Sequence, residues 1–229
     1  SLDRLVAAHL APARRGEQAS EILGALALAG LEPARAAARV DGLDLTRAEA
    51  PRIAAAAWAA VKLPAGAAWL DASQQHAWPE VRAAALARVD APCEQAILER
   101  LRGAVDLAGP RNEPDAAVSR EAIAALGRCG GDAARTALTA LVSDAAQGVE
   151  RRAEAARQLV DRHGAAGSDA VAAALRGAED PSVGLRLVRA LQRAEAPATA
   201  PVRDALCAAA GQEQLAAAAR RALRDLLPD

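Results

Sequence analysis

The sequence predicts an all-α fold, a right-handed α-solenoid of about six or seven antiparallel helical hairpins. Three observations predict it. Alanine fills 68 of 229 positions while Phe, Tyr and Met are absent, which favours close-packed helices, since Ala loses no side-chain entropy in a helix and strands want β-branched and aromatic residues. Apolar residues recur at the 3.6-residue period of a helix. The pattern then repeats along the chain with a spacing near 32 residues.

The clearest unit runs from Val118 to Leu141. Val118, Ala122, Ala125 and Cys129 stand at i, i+4, i+7 and i+11, one face of a helix. Gly130 and Gly131 end it, because glycine adopts the left-handed conformation of a C-cap, and Asp132 is placed to cap the next helix. Ala134, Ala137, Leu138 and Leu141 make the second apolar face. The phase returns with Val149, Ala153, Ala156 and Val160, a break at His163-Gly164, and a second helix carrying Val171, Ala174 and Leu175. Further copies hold Val183, Leu187, Ala190 and Leu191, then Ala85 and Val89, then Leu215, Ala219 and Leu223. Anchors at Ile53, Val81, Val118, Val149, Val183 and Leu215 lie 28, 37, 31, 34 and 32 residues apart. The 37-residue interval comes from one long connection, Gly103 to Asp115.

On these residues the chain resembles the bacterial HEAT-like repeat family, also named after the phycobilisome lyases. Asp180-Pro181-Ser182-Val183, Pro79-Glu80-Val81-Arg82, and Val118 through Gly127 followed by Gly131-Asp132 carry the likeness, over Trp78 to Leu227. The arginine usual after the family's valine stands only at Arg82, with Ser119, Glu150 and Gly184 elsewhere. The resemblance implies an armadillo-like superhelix that presents a surface to a partner. We therefore expect one domain over residues 1–229, with divergent hairpins over 1–77 and clearer repeats over 78–229. Such hairpins bury their two apolar stripes by stacking. The last helix, Gln212 to Leu227, with Arg220, Arg221, Arg224 and Asp225, is suited to cover one open end, and Ser1 to Leu10 the other.

Composition narrows the function classes. A formal charge of −1 predicts no nucleic-acid or membrane partner from overall charge, although 27 of the 28 basic residues are arginine. The longest apolar run, Ile53 to Val61, is nine residues, against the roughly 20 that cross a bilayer core. Starting at Ser1, the chain leaves trimming, processing and excision equally open. Cys93, Cys129 and Cys207 are sparse and odd in number, which predicts no disulfide framework, a buried thiol at Cys129 and a weak lean to a reducing, cytoplasmic compartment.

No catalytic or metal motif is present: no Gly-x-Ser-x-Gly elbow, no His-Glu-x-x-His, no phosphate loop. His76 has no spaced second ligand, and neither catalytic residue, metal nor cofactor is called for. Two groups are candidates for binding a protein or peptide. Trp58, Trp69 and Trp78 would anchor a partner if their rings converge at a surface, and would fill the core otherwise. Arg151, Arg152, Arg186, Arg189 and Arg193 would form a basic strip if successive repeats align them, although Glu150, Glu154, Asp161, Glu179 and Asp180 are placed to pair with them. The leading expectation is a non-enzymatic protein-binding or scaffolding module that uses a concave face made by the second helices. The alternative is an enzyme of the HEAT-like alkylpurine DNA glycosylase kind. That chemistry needs a basic groove, stacking aromatics and a carboxylate together, and the sequence separates Trp78 from the arginines by two or more repeats. A bilin lyase, suggested only by the family's second name, needs a tetrapyrrole pocket that no residue pattern marks.

Overall fold

A computed structural model describes residues 79–107, 109, 112–193 and 199–226. Trp58, Trp69, Trp78, His76, Ile53, Arg111 and the Ser1–Leu10 cap lie outside them. Among the described residues there are eight helices and no strand: α1 (Pro79–Leu86), α2 (Gln95–Val105), α3 (Ala116–Cys129), α4 (Gly131–Ser143), α5 (Val149–Arg176), α6 (Pro181–Gln192), α7 (Ala200–Ala210) and α8 (Ala216–Leu226). None is long and apolar enough to cross a membrane.

The chain divides into two compact units, with one boundary inside α3. In the first, Ala85, Leu86, Val89 and Val118 are buried. There Asp115 Oδ1 accepts from the amides of Ala117 and Val118 at 2.9 and 3.0 Å, starting α3. The second unit holds Ala91–Glu113 and Ala122–Asp229. In it α4 packs on α5, α5 on α6 and α7, and both α6 and α7 on α8, while α2 touches α4. Leu101, Ile123, Leu126, Leu138, Leu159, Leu187, Leu191 and Leu206 are its fully buried large side chains, each worth about 1.5–3 kcal/mol of transfer free energy. Alanines such as Ala134, Ala155, Ala156, Ala172, Ala205 and Ala219 bury between them and let the helices approach closely.

The turns follow local chemistry. Gly130 (φ 65°) and Gly131 (φ 73°) reverse the chain between α3 and α4 in backbone conformations that side chains resist. Gly164 (φ 53°, ψ −133°) breaks α5 into two arms at the expected place. Asp180 accepts from Ser182 N at 2.8 Å, with Pro181 in the first turn of α6. Thr199 caps α7 through Val202 N and donates to Asp169 Oδ1 on α5.

Several expectations are corrected. Asp132 does not cap α4: the helix starts two residues earlier than such a cap requires, Gly130 takes the cap position, and Asp132, already inside the first turn, pairs with Arg135 at 3.0 Å. Of the predicted α5 stripe, Ala156 and Val160 are buried while Val149 and Ala153 are only half-buried, and Arg152, Ala155 and Leu159 are buried beside them. The long connection is shorter than predicted, 106–115, because α2 continues through Gly103 to Val105. The last helix begins at Ala216, after a turn at 211–215.

Cysteine usage is also corrected. Cys93 and Cys129 form a disulfide, their Cα atoms 5.1 Å apart, and only Cys207 is a free thiol, on the surface. Thirty-six residues separate the pair, so α2, the connection and α3 must fold back on themselves before the two meet. The lean to a reducing compartment rested on unpaired thiols and loses its ground.

Gly184 sits where α6 meets the turn at 211–215. A Cβ there would stand 2.8 Å from Leu215 Cδ1, so Leu215 occupies the space a side chain would need.

Candidate functional site

A cleft of about 630 Å³ opens between α2 and α4 in the second unit. Glu99, Arg102 and Asp106 stand at i, i+3 and i+7, on one side of α2 and its exit. Thr136, Ala140 and Asp144 repeat at i, i+4 and i+8 along α4. The gap exists because α4 presents Ala137 and Ala140 towards it, side chains too short to fill the space. Val105 and Leu141 supply its apolar lining.

Three carboxylates, Glu99, Asp106 and Asp144, face one guanidinium, Arg102, so the lining carries a charge of −2. Glu99 and Asp144 keep acceptor capacity. Glu99 Oε1 accepts from Gln95 Nε2 at 3.2 Å. Asp144 accepts from Ala146 N at 2.9 Å and from Gln147 Nε2 at 3.2 Å, one bond per oxygen, and each oxygen has two lone pairs. Thr136 Oγ1 is turned to the carbonyl of Asp132 at 2.8 Å.

Arg151 builds the wall behind the cleft. Its Nη2 donates to the carbonyl of Glu113 at 2.8 Å and to Asn112 Oδ1 at 3.3 Å, and its Nη1 reaches Gln147 Oε1 at 3.4 Å. The connection also turns back on α2 through Glu113 N to Ala104 O, 2.9 Å. Burial holds the Arg151 guanidinium below its usual value, opposed by the charge of Glu113. One planar fork thus fastens the connection to the start of α5.

The predicted arginine strip is therefore divided. Arg151 is half-buried in this network. Arg152 is 7% exposed, and its Nε donates to Val142 O at 2.9 Å, satisfying a carbonyl of the last turn of α4. Arg186, exposed on α6, pairs with Glu150 at 2.9 Å, a contact worth at most about 1 kcal/mol. Arg189 and Arg193 are exposed along the same flank. The tryptophan candidates lie outside the described residues. Glu99, Asp106 and Asp144 escaped sequence reasoning, although their helical spacing was visible. No local rule brings two helices 36 positions apart into one cleft.

At the bend of α5, His163 Nε2 is buried without a partner. Burial lowers its pKa, and the charge of Arg135 adds to this while Asp132 opposes it. No three His, Cys, Asp or Glu side chains gather as metal ligands among the described residues.

No protein-family model matches the chain. Nor does any curated protein match it. Among solved structures it is similar to human deoxyhypusine hydroxylase in complex with glycerol, at 21% identity and a TM-score of 0.46, covering 94% of this chain and 81% of that one. That structure is of an enzyme, and the expectation of a non-enzymatic scaffold is corrected on this finding: a chain of such helices gives no warrant for a role without chemistry. The glycosylase alternative gains no support either. At this identity and TM-score the likeness transfers neither a reaction nor a site.

Proposed function

We propose that this chain is a ligand-binding protein of the HEAT-like repeat type, a right-handed solenoid of six or seven hairpins, whose cleft between α2 and α4 takes a small organic cation. The observation that carries this reading is the cleft itself: about 630 Å³, within the range of small-molecule sites, with an apolar lining and a net charge of −2. A primary amine or guanidinium would be held between the carboxylates of Glu99, Asp106 and Asp144, with its alkyl part against Val105, Ala137 and Leu141. Arg102 would disfavour ligands carrying their positive charge at its end of the cleft. The helix–turn–helix succession from α3 to α8 and the capping at Asp180 support the repeat assignment.

The three carboxylates are exposed, so screening by water and salt keeps affinity modest, a Kd on the order of 0.1–1 mM. Isothermal titration with 1,5-diaminopentane, and with glutarate as the anionic control, tests this. The diamine should bind and the dianion should not. The double variant Glu99→Gln, Asp106→Asn removes two negative charges and should weaken the diamine about tenfold or more, roughly 1.4 kcal/mol. Equal binding of glutarate, or an unchanged diamine affinity in the variant, refutes the assignment.

A further inference from the structure

We propose that the Cys93–Cys129 disulfide is a redox latch on α2, which holds one wall of the cleft in place when oxidised and releases it when reduced. Two of the cleft's sides belong to different neighbourhoods. α4 is packed chiefly against α5, whereas α2 meets α4 only lightly. What positions α2 must therefore act at its ends as well as along its buried face of Ile97, Leu98, Leu101, Ala104 and Val105. At the C-terminal end, Arg151 fastens the connection through Glu113 O. At the N-terminal end Glu94 occupies the cap position and makes no side-chain capping bond. The disulfide stands there: Cys93 lies two residues before α2, and Cys129 is the last residue of α3, against the glycine turn that begins α4. One covalent bond thus joins the start of the first wall to the start of the second.

The two sulfurs differ in access, which makes the latch addressable. Cys93 is half-buried, whereas Cys129 is 8% exposed. A dithiol reductant would attack Cys93 Sγ through its thiolate, forming a mixed disulfide and expelling Cys129 as a thiolate that takes up a proton. The reductant's second thiol then displaces Cys93, which is protonated in turn. Two electrons pass from the dithiol, which ends as a disulfide, to the protein, which ends with two thiols. The oxidised form requires an oxidising compartment or an oxidant to close it.

The part of this proposal that concerns ligand binding rests on the cleft reading above, and the measurement separates the two. Hydrogen exchange followed by mass spectrometry is compared in three full-length samples: chain prepared in air without any thiol or disulfide reagent, chain reduced with dithiothreitol, and the double variant Cys93→Ser, Cys129→Ser. The first sample, alkylated under denaturing conditions without reductant, should take one label, on Cys207. Three labels overturn the proposal. Amides of α2 should exchange about tenfold faster or more in the reduced and variant samples, while α6, α7 and α8 exchange as in the oxidised chain. Unchanged α2 rates overturn the latch, and so does a uniform acceleration through every helix, which would mark a general staple. Diaminopentane binding that is equal in the oxidised and reduced chains overturns the coupling and leaves the cleft reading standing. Accelerated α2 exchange with no diamine binding in either state supports the latch and refutes the cleft reading.

Discussion

Replacing Gly167 by alanine should open the sharp bend of α5. Gly164 sends the second arm of that helix back along the first, and Gly167 is the point of closest approach. An added Cβ would stand 2.0 Å from the carbonyl oxygen of Leu159 and 2.6 Å from its carbon, both main-chain atoms. Ordinary contact needs about 3.4 Å or more, so the arms must part by over an ångström. They cannot do so freely, because Leu159 and Val160 on one arm and Val171, Ala172 and Leu175 on the other are buried. Overpacking of this kind costs about 1–3 kcal/mol, and a rigid backbone neighbour places Gly167→Ala at the upper end, about 3 kcal/mol. For a domain of this size that is a fall in Tm of about 6–12 °C. Gly148→Ala is the control: a Cβ there meets nothing within 4 Å and φ is −63°, so only the preference for Gly over Ala at this N-cap is lost, about 1 kcal/mol or less. Circular dichroism at 222 nm through a thermal ramp reads both. If Gly167→Ala melts within about 2 °C of the parent, the close packing of the two arms is not what shapes this hairpin.

Arg151→Met keeps much of the side-chain volume but removes the donors to Glu113 O and Asn112 Oδ1. It should cost about 2 kcal/mol, read as a lower urea midpoint, and an unchanged midpoint would exclude the fork as a fastening. Gly184→Arg drives a long side chain into Leu215. The variant should be less stable by about 1–3 kcal/mol, and a gain in Tm would show that Leu215 yields easily. His163 is held neutral in the fold, with its pKa below the ordinary 6.5. The unfolded chain therefore binds the extra proton first, and stability should fall as pH drops below about 6.5 until the folded-state value is passed. His163→Gln should lose less stability than the parent between pH 7.5 and 5.5 in urea titrations, and equal losses would remove this histidine from the account.

Features set by neighbouring residues were legible in the sequence. The stripes of α3, α4 and α6, the glycine turn after Cys129 and the break at Gly164 all follow from side-chain spacing along a helix or from the backbone freedom of one residue. The burial of Arg152 in α5 already exceeds that logic, because a buried Arg152 is stable only where Val142 offers its carbonyl, ten positions away. The site was less legible still. Arg151 reads as a surface charge until the connection 38 residues earlier folds against it. Cys93 and Cys129 read as unrelated thiols until α2 and α3 turn back on each other. The cleft carboxylates read as solvated faces until α2 and α4 stand side by side. Local chemistry along the sequence determined that these segments are helices, where α3 ends and where α5 bends. The tertiary structure alone decided which charges are buried, which sulfurs bond and where space remains, because each depends on distances between residues far apart in the chain.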